Sequence, residues 1–347
     1  MQVDYIIVGL GLAGIAFAEE LNRKKKTFLV FEDYSQNSSL VAGGMYNPVV
    51  LKRFTSVWNA KEQLETAIPF YQNLERIFDK KYQNSVDIYR IFKSIEEQNN
   101  WFMASDKPML EDYMIPKVIK NTNHYINASY GYGKLIKTGR IDVNSLAKDY
   151  RQLLINLNQL KEEKFHYKDI IFKDKGIEYH GVKSNRIIFC EGFGLKENPF
   201  FNNLPMREAK GELLTIHAPD LKVNYLIKSS VFILPIGNDR YKVGATFNWK
   251  DKTKLPTPEG KRELEFKLNS VISCDYTIVD HTAGIRPTVI DRRPLLGMHK
   301  KHKQLVILNG LGTRGVMIAP LMAKKLFLYI ENGEQLDKEI DIARFEK

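Results

Sequence analysis

The sequence has few of the residues that build disulfide or metal scaffolds. It holds two cysteines, Cys190 and Cys274, among 347 residues, and it has no CxxC motif. Two cysteines do not make a disulfide framework, and this usage fits a reducing compartment. The seven histidines show no metal-ligand spacing, so we expect no metal site.

Long apolar runs are also missing. No segment approaches the roughly 18 apolar residues that a membrane-spanning helix needs, so we expect no contact with a membrane. The first apolar strand begins at residue 3, which leaves no room for a signal peptide. We therefore expect a cytoplasmic protein.

The charge is unbalanced towards the basic side. There are 52 Lys and Arg against 41 Asp and Glu, a net charge of +11. Such an excess is compatible with an anionic partner. The excess is mostly lysine and is scattered among acidic residues, with no arginine-rich arm, which favours a solvated surface over a nucleic-acid module.

The first 32 residues carry the strongest pattern. A short run rich in Val, Ile and Tyr, residues 3–9, is typical of a buried parallel strand. It ends in the G-x-G-x-x-G motif of residues 9–14, and a helix-compatible segment and a second apolar strand follow. Glu32 closes that strand, about 20 residues after the motif begins, where a ribose-binding acid is expected.

Each glycine of the motif has a physical role in binding a dinucleotide. Gly9 allows a sharp turn, Gly11 lets the backbone approach a pyrophosphate, and Gly14 lets the helix pack closely on the strand. The free N–H groups at the helix start favour phosphate charge. An acid at position 32 accepts hydrogen bonds from a ribose and repels a 2′-phosphate, which argues against NADP.

Three later segments also contain glycines that are expected to lie near a ligand. The loop of residues 40–48 contains Gly43-Gly44 and is expected to contact the cofactor. A buried strand, residues 186–190, ends at Glu191-Gly192. A last strand, residues 305–308, leads through a glycine loop into a helix at about 316–330, which presents a second helix N-terminus to a ligand.

The remaining pattern predicts a second lobe. Residues 212–217, 225–236 and 240–249 alternate as antiparallel strands do, and a chain of this length exceeds the usual single core. We predict an α/β fold, in which a Rossmann-like dinucleotide-binding domain (an FAD-binding domain, by the resemblance described next) is interleaved with a mainly antiparallel α+β substrate domain. The expected bounds are 1–50, 139–205 and 283–347 for the first domain, and 51–138 and 206–282 for the second.

Four blocks together resemble the FAD-dependent family of D-amino-acid oxidase, glycine oxidase and sarcosine oxidase. They are GLGLAG with Glu32, SSLVAGGMYNP, IIFCEG, and AGIRPTVIDRRPLLG with GLGTRGVMIAPLMAKKL. Within that family, GGMYNPVV and GLGTRGVMIAPL are similar to the oxidase domain of bifunctional enzymes that modify the tRNA wobble uridine. The methyltransferase domain of those enzymes has no counterpart in this sequence.

The resemblance implies FAD as the cofactor and a set of site residues. Arg286 would bind a substrate carboxylate beside the flavin, and Arg314 would overhang it. Tyr46 and Phe232 would contact the substrate; Phe232 stands where glycine oxidase has a tyrosine. The residues expected to bind FAD are Gly9, Gly11, Leu12, Ala13, Gly14, Glu32, Asp33, Gly43, Gly44, Met45, Ile170, Glu191, Gly192, Gly312, Thr313, Arg314, Gly315, Val316 and Met317.

Residues 297–305 contain no cysteine, where monomeric sarcosine oxidases attach their flavin, so the resemblance implies non-covalent FAD. The implied activity is oxidation of the C–N bond of a carboxylated amine by hydride transfer to flavin, followed by hydrolysis of the imine. Oxygen is the expected electron acceptor. Two alternatives stay open: removal of a carboxymethyl group from wobble carboxymethylaminomethyl-uridine in tRNA, and a flavin dehydrogenase that uses a carrier.

Overall fold

Strands and helices alternate along most of the chain in the computed structural model, which describes residues 1–36 and 38–346. Asn37 and Lys347 fall within the segments assigned above to the FAD-binding domain and lie outside the described residues. The strands, in chain order, are β1 (Gln2–Val8), β2 (Phe28–Phe31), β3 (Met45–Tyr46), β4 (Val49–Val50), β5 (Thr55–Ser56), β6 (Gln83–Ser85), β7 (Ile88–Ile91), β8 (Met114–Ile119), β9 (Tyr132–Leu135), β10 (Gly139–Ile141), β11 (Leu160–Lys161), β12 (Ile171–Phe172), β13 (Ile177–Tyr179), β14 (Val182–Phe189), β15 (Ala209–His217), β16 (Leu226–Lys228), β17 (Phe232–Gly237), β18 (Arg240–Gly244), β19 (Thr277–Arg286), β20 (Leu295–Met298) and β21 (Leu305–Asn309). The helices are α1 (Leu12–Arg23), α2 (Ser38–Val41), α3 (Ala60–Phe78), α4 (Ile95–Ser105), α5 (Val143–Asn156), α6 (Pro258–Asn269) and α7 (Gly315–Asn332).

The first sheet has a parallel centre. Strands β11, β2, β1 and β14 follow one another in that order, and β21 continues the parallel pairing beside the end of β14. Alternate residues of β1 enter different core clusters: Tyr5 and Ile7 face one, Ile6 and Val8 the other. A sheet buried on both faces explains why this strand is a continuous apolar run rather than an alternating one.

The second large sheet is mixed. Its strand order is β19-β15-β18-β17-β16-β7-β9-β8, and the pairs are antiparallel except for β16 with β7. The structure confirms the predicted fold class, a parallel-centred α/β unit interleaved with a mainly antiparallel sheet. The first sheet also contains β13, β12 and β20, which extend it by antiparallel pairing. A short sheet of β3, β10 and β6 and the β4–β5 pair complete the strands of the described residues.

Two strand predictions in this sheet need correction. The expected strand over 225–236 is two strands, β16 and β17, because the chain turns between them; the Ser229 N–H donates to the Val231 carbonyl at 2.8 Å. Strand β18 ends at Gly244 rather than at 249. Residues 245–247 therefore leave the sheet, and Ala245 and Phe247 reach the cavity described below.

Helices α1 and α7 pack on the parallel sheet, whereas α4 and α6 pack on the mixed sheet. α1 packs against α7, and α7 packs against α3. Proline inside a helix commonly causes a kink, but α3 runs as one helix across Pro69. The face of Leu64, Ala67, Tyr71 and Leu74 is buried along the helix, and this packing offsets the hydrogen bond that proline removes.

Two helices begin at capping residues. The Asp142 carboxylate accepts from the Ser145 N–H at 3.2 Å and caps α5. Pro258 is the first residue of α6, after the capping Thr257, as its fixed φ favours. Among the described residues, no helix has both the length and the apolar character to cross a membrane.

The parallel sheet takes its strands from residues 2–31, 160–189 and 295–309, and the mixed sheet takes its strands from 88–135 and 209–286. The domain bounds given above remain a proposal. Helix α3, which they assign to the substrate domain, packs on α7 beside the parallel sheet. The Tyr71 hydroxyl donates to the Val316 carbonyl at 2.9 Å.

Candidate active site

A cavity of about 830 Å³ lies between the carboxyl ends of the parallel strands and one face of the mixed sheet. Ligand sites in open α/β sheets form at this edge. Most of the predicted site residues line it: Gly9, Gly11, Leu12, Ala13, Glu32, Asp33, Gly43, Gly44, Met45, Glu191, Gly192, Phe232, Arg286, Gly312, Thr313, Arg314, Gly315 and Val316. The structure thus brings together residues that the sequence separates by up to 300 positions.

The start of α1 is built for a phosphate group. A Cβ on Gly14 would lie 2.0 Å from the Gly9 carbonyl oxygen, so only glycine lets the helix begin this close to the strand. The N-terminus of α1 has no side-chain cap hydrogen bond; the Leu12 N–H donates to the Ser39 Oγ at 3.3 Å. Its N–H groups and dipole therefore face the cavity and favour an anion.

Glu32 lies beside this helix start. One carboxylate oxygen accepts from the Leu10 N–H, and the other accepts from the Tyr34 N–H at 2.8 Å. Burial raises the pKa of Glu32, and the Leu10 hydrogen bond opposes that rise. The carboxylate is thus fixed by the main chain at the end of β2, where its remaining lone pairs can accept from a ribose.

Two unpaired polar atoms mark the same end of the cavity. Gln36 Oε1 and Arg151 Nε are buried and have no hydrogen-bond partner among the described residues, and both side chains line the cavity. Buried polar groups are normally paired, so each of these atoms can take a polar ligand atom as its partner. Donors at the α1 start, an acid for a ribose and these two atoms fit the adenosine diphosphate half of FAD.

The second glycine loop closes the cavity from the other side. Helix α7 starts at Gly315 without a side-chain cap, and its first turn lines the cavity through Gly315 and Val316. Burial and the neighbouring Arg292 lower the pKa of Arg314, which also lines the cavity. A helix N-terminus and a desolvated guanidinium together provide a second anion-stabilising element.

Glu191 is a buried acid at the end of β14. Its carboxylate accepts from the Tyr167 hydroxyl at 2.5 Å and from Asn198 Nδ2 at 2.8 Å. Burial raises its pKa to about 7, against the lowering effect of these two bonds. Next to it, Asn309 Nδ2 donates to the Gly192 carbonyl at 3.0 Å and ties the ends of β14 and β21 together.

Arg286, the last residue of β19, lies at the mixed-sheet side of the cavity. Its guanidinium donates to the Thr246 carbonyl at 3.2 Å, and its Cζ lies 4.2 Å from the centre of the Phe247 ring. A Cβ on Gly211 would lie 1.9 Å from the Arg286 Nη2, so the glycine makes the room for the guanidinium.

The Arg286 charge has no counter-ion. Burial lowers the pKa of its guanidinium to about 10, and no described carboxylate forms an ion pair with it. A buried cation of this kind is costly unless an anion joins it. Its planar fork suits a carboxylate bound at two points.

Four predicted residues do not lie on the cavity wall. Gly14 is beneath it, in the helix–strand contact. Tyr46 turns away, because its hydroxyl accepts from Gln83 Nε2 at 3.0 Å and its ring fills the space over Gly139. Ile170 is buried in the core on the other face of the parallel sheet. Met317 is buried in α7, and its sulfur accepts from the Asn47 N–H at 3.2 Å.

Several wall residues carried no sequence signal. Arg151 comes from the middle of α5, where helix periodicity alone does not mark a ligand contact. Phe247 follows a strand that was expected to continue through it. Arg90 and Lys228 were unremarkable charges in short strands. Gly211 lies one residue before the predicted strand 212–217 and inside the observed β15, where a glycine indicates close approach.

Comparisons with known proteins agree with this geometry. The chain is 19% identical over 345 residues to the tRNA 5-methylaminomethyl-2-thiouridine biosynthesis bifunctional protein MnmC of Marinobacter nauticus, covering 92% of this chain and 54% of the relative. It is 22% identical to the bifunctional protein ThiO/ThiG of Synechocystis, covering 92% of this chain and 50% of the relative. The chain thus spans about half the length of these curated relatives.

A solved structure, glycine oxidase from Bacillus cereus, superposes with a TM-score of 0.79 at 18% identity and covers 96% of both chains. At that identity, the likeness shows the fold alone. The sequence model described as FAD dependent oxidoreductase, DAO, matches residues 4–327. That match takes in both sheets and the whole cavity wall, and the chain therefore belongs to the DAO family of FAD-dependent oxidoreductases.

Proposed function

We propose that the protein oxidises the C–N bond of a carboxylated amine, an amino acid or an N-substituted amino acid, and that water then hydrolyses the imine. The single observation that carries this proposal is the Arg286 guanidinium on the cavity wall without a counter-ion. The substrate carboxylate supplies the missing anion. Phe247 stacks on the guanidinium and Thr246 holds one of its nitrogens, so the fork has a fixed orientation.

The cofactor-binding residues are proposed to divide into two groups. Glu32, Gln36 and Arg151 with the α1 start hold the adenosine diphosphate half. The loop before α7 and its first turn hold the other half. When bound, FAD supplies the acceptor for the hydride that leaves the carbon beside the amine nitrogen. The uncapped N–H groups at the start of α7 stabilise negative charge that develops next to them.

We also propose that FAD is held without a covalent bond. Residues 297–305 offer no cysteine, and burial raises the pKa of the Cys190 thiol, which lines the cavity. A thiol with a raised pKa is a poor nucleophile. Acid precipitation of purified protein should release all the flavin; flavin left in the pellet would contradict the non-covalent attachment only.

A tRNA substrate is the second candidate. Two motif blocks, a curated relative whose printed name describes tRNA 5-methylaminomethyl-2-thiouridine biosynthesis, and the net charge of +11 favour it. Wobble carboxymethylaminomethyl-uridine also ends in a carboxylate beside an amine, so Arg286 would serve both substrates. Binding of tRNA would weaken by orders of magnitude as salt rises, whereas binding of an amino acid would weaken little.

The decisive experiment is anaerobic reduction of the bound flavin by a panel of substrates, followed as loss of its visible absorbance. The panel holds amino acids, N-alkyl amino acids and bulk tRNA. We expect reduction by at least one free amino acid at moderate salt, and no loss of the carboxymethyl group from tRNA. If tRNA loses that group and no free amine reduces the flavin, the second candidate replaces the first. Readmission of oxygen then tests oxygen as the acceptor, since flavin that stays reduced indicates a carrier.

A further inference from the structure

Two cationic side chains, those of Lys228 and Arg90, lie next to each other on the mixed-sheet wall of the same cavity, away from Arg286. Strand β16 pairs with β7 so that Lys228 is directly opposite Arg90. Lys228 also pairs with Phe232 of β17, and Phe232 with Gly244 of β18. Directly paired residues project from the same face of a sheet. Lys228, Arg90 and Phe232 all line the cavity, so this face is the cavity face.

The charge of Lys228 is not compensated. Among the described residues, its amine forms no ion pair or side-chain hydrogen bond. Burial lowers the pKa of Lys228 to about 8, and the cations Arg90, Lys267 and Lys93 add to this. Glu97 compensates the charge of Arg90, so Lys228 is the member of the pair that lacks an anion, and the directly opposite guanidinium adds to the cost of its charge.

Arg90 is partly satisfied and partly free. One terminal nitrogen pairs with Glu97 at 2.5 Å, and the other lies 3.5 Å from the Ser229 carbonyl oxygen. Its Nε is buried with no partner among the described residues. The Glu97 pair holds the guanidinium in place and leaves one donor for a ligand.

This pair of cations is separate from Arg286. The Arg286 guanidinium lies over Gly211 of β15, and β18, β17 and β16 follow β15 in the sheet. Three strand spacings of about 4.8 Å place Lys228 on the order of 14 Å from Gly211 across the sheet. A single carboxylate cannot contact both Arg286 and Lys228, although the length of these two side chains shortens the distance between their charged groups.

We propose that Lys228 and Arg90 form a subsite for a second anionic group, so that the substrate is an elongated amine with a carboxylate at Arg286 and a distal carboxylate or phosphate at Lys228. The inference rests on the proposed function and narrows its substrate class. The mixed-sheet wall fits such a molecule, because the described residues that β7, β16, β17 and α6 contribute to the cavity include no carboxylate.

A small molecule fits this subsite better than a nucleic-acid backbone. The Arg90 side chain is only 11% exposed, and Lys228 is half-buried within the cavity wall. Phosphates on the surface of a folded RNA contact exposed cations. A narrow ligand, in contrast, can enter the cavity and place its anionic group beside Arg90 and Lys228.

The test uses dicarboxylates, which contain no amine and so cannot be oxidised. FAD-loaded protein is titrated with linear α,ω-dicarboxylates of four to ten carbons and with the monocarboxylate of each length. Binding is followed by the visible spectrum of the flavin and by calorimetry. We expect one chain length to bind at least tenfold more tightly than its monocarboxylate. Matching ω-phosphono carboxylates then distinguish a distal phosphate from a distal carboxylate.

Lys228→Met should abolish the advantage of the dicarboxylate and leave monocarboxylate binding within about twofold. Lys242→Met is the matched control. Lys242 is half-buried in β18, which is separated from β16 by β17 in the same sheet. Burial also lowers its pKa, and it does not line the cavity. The control should keep the full advantage. Arg90→Gln, which retains a donor but no charge, should show a partial loss.

Each outcome bears on a different statement. Equal binding of dicarboxylates and monocarboxylates to the unaltered protein, or an advantage that survives Lys228→Met, would overturn the second subsite. Displacement of monocarboxylates by tRNA without any dicarboxylate preference would overturn it in favour of RNA. If no carboxylate perturbs the flavin at all, the proposed function itself fails.

Discussion

The two ends of the cavity differ in charge and in how they are built. The end formed by the parallel sheet presents glycine turns, two uncapped helix starts and the acids Glu32, Asp33 and Glu191. The wall formed by the mixed sheet presents side-chain cations, among them Arg90, Lys228 and Arg286. The first end offers a ligand mainly main-chain groups, and the second offers long side chains held on a sheet.

The two ends of the cavity should therefore respond differently to substitution. A main-chain cradle is part of the fold, so changes there should alter stability and FAD retention together. Side chains on a sheet face add little to the core, so changes there should alter substrate binding with FAD retained. The following substitutions test that division, from the largest expected effect to the smallest.

Gly14→Ala should do the most damage. The added Cβ would lie 2.0 Å from the Gly9 carbonyl oxygen. Because that oxygen belongs to the main chain, the clash can be relieved only if α1 moves away from β1. We expect a loss of about 3 kcal/mol or more in the free energy of unfolding, together with loss of FAD from the purified protein. Gly43→Ala is the control, since its Cβ would make only ordinary contacts, the nearest to Leu234 at 3.5 Å. Equal stability of the two variants would show that the close contact is not required.

Glu191→Gln should change how stability depends on pH. The pKa of Glu191 is raised to about 7 from 4.5, so between these values the folded protein holds a proton that the unfolded chain has released. This contribution to stability is fully present below pH 4.5 and is lost as pH rises through 7, by roughly 3 kcal/mol in all. Glutamine has no proton to lose. The free energy of unfolding of the variant, measured with urea, should therefore rise relative to that of the unaltered protein between pH 4.5 and 8.

Glu197→Gln is the matched control for that series, because Glu197 also lines the cavity and is exposed. Its pH dependence should follow that of the unaltered protein. A Glu191→Gln variant whose stability changed with pH in parallel with the unaltered protein would show that Glu191 does not titrate near neutrality.

Glu32→Gln should weaken FAD binding by about 1.5–3 kcal/mol, the scale of a hydrogen bond to a charged group. Titration of the flavin-free protein with FAD measures it. Both Glu32 oxygens also accept main-chain N–H groups, so a smaller loss of folding stability should accompany the change. Glu163→Gln, at an exposed acid on the same end of the cavity, should leave FAD affinity unchanged. Full FAD affinity in Glu32→Gln would remove it from the ribose site.

Arg286→Lys should weaken binding of a carboxylated amine by roughly 1–3 kcal/mol with FAD fully retained, because an ammonium cannot hold a carboxylate at two points. Turnover and spectral titration with a monocarboxylate both measure it. Arg207→Lys is the control: its guanidinium also lies over an aromatic ring, Trp249, at 4.9 Å, but it does not line the cavity. Unchanged kinetics in Arg286→Lys would take this arginine out of the substrate site.

The cofactor end was largely predictable because its signal is local. A strand, a glycine motif, a helix and an acid lie within the first 32 residues, and their spacing predicts the turn, the close helix–strand contact and the position of Glu32 on the cavity wall. The same holds for the loop before α7. Local backbone conformation depends on near neighbours, so pattern and position along the chain are enough to place these residues at a ligand.

The substrate wall was less predictable because its contacts depend on register. Arg90 and Lys228 are distant in sequence and meet only through the β7–β16 pairing. Gly211 makes room for Arg286 only through the β15–β19 pairing, 75 positions apart in the chain. A shift of one residue in either pair would turn one side chain to the opposite face, and no local pattern fixes that register.

The sequence by itself determined the strand, glycine turn and helix start at the end of the parallel sheet, since the physics of the glycine turn and the helix start is local. Tertiary structure alone decided which side chains face the cavity. Tyr46, Ile170 and Met317 are buried in packing contacts near the cavity and do not line it. The tertiary structure instead places Arg151, Phe247 and Lys228 on the cavity wall. Side-chain direction follows from what packs around each element, and that is settled only when all the elements have assembled.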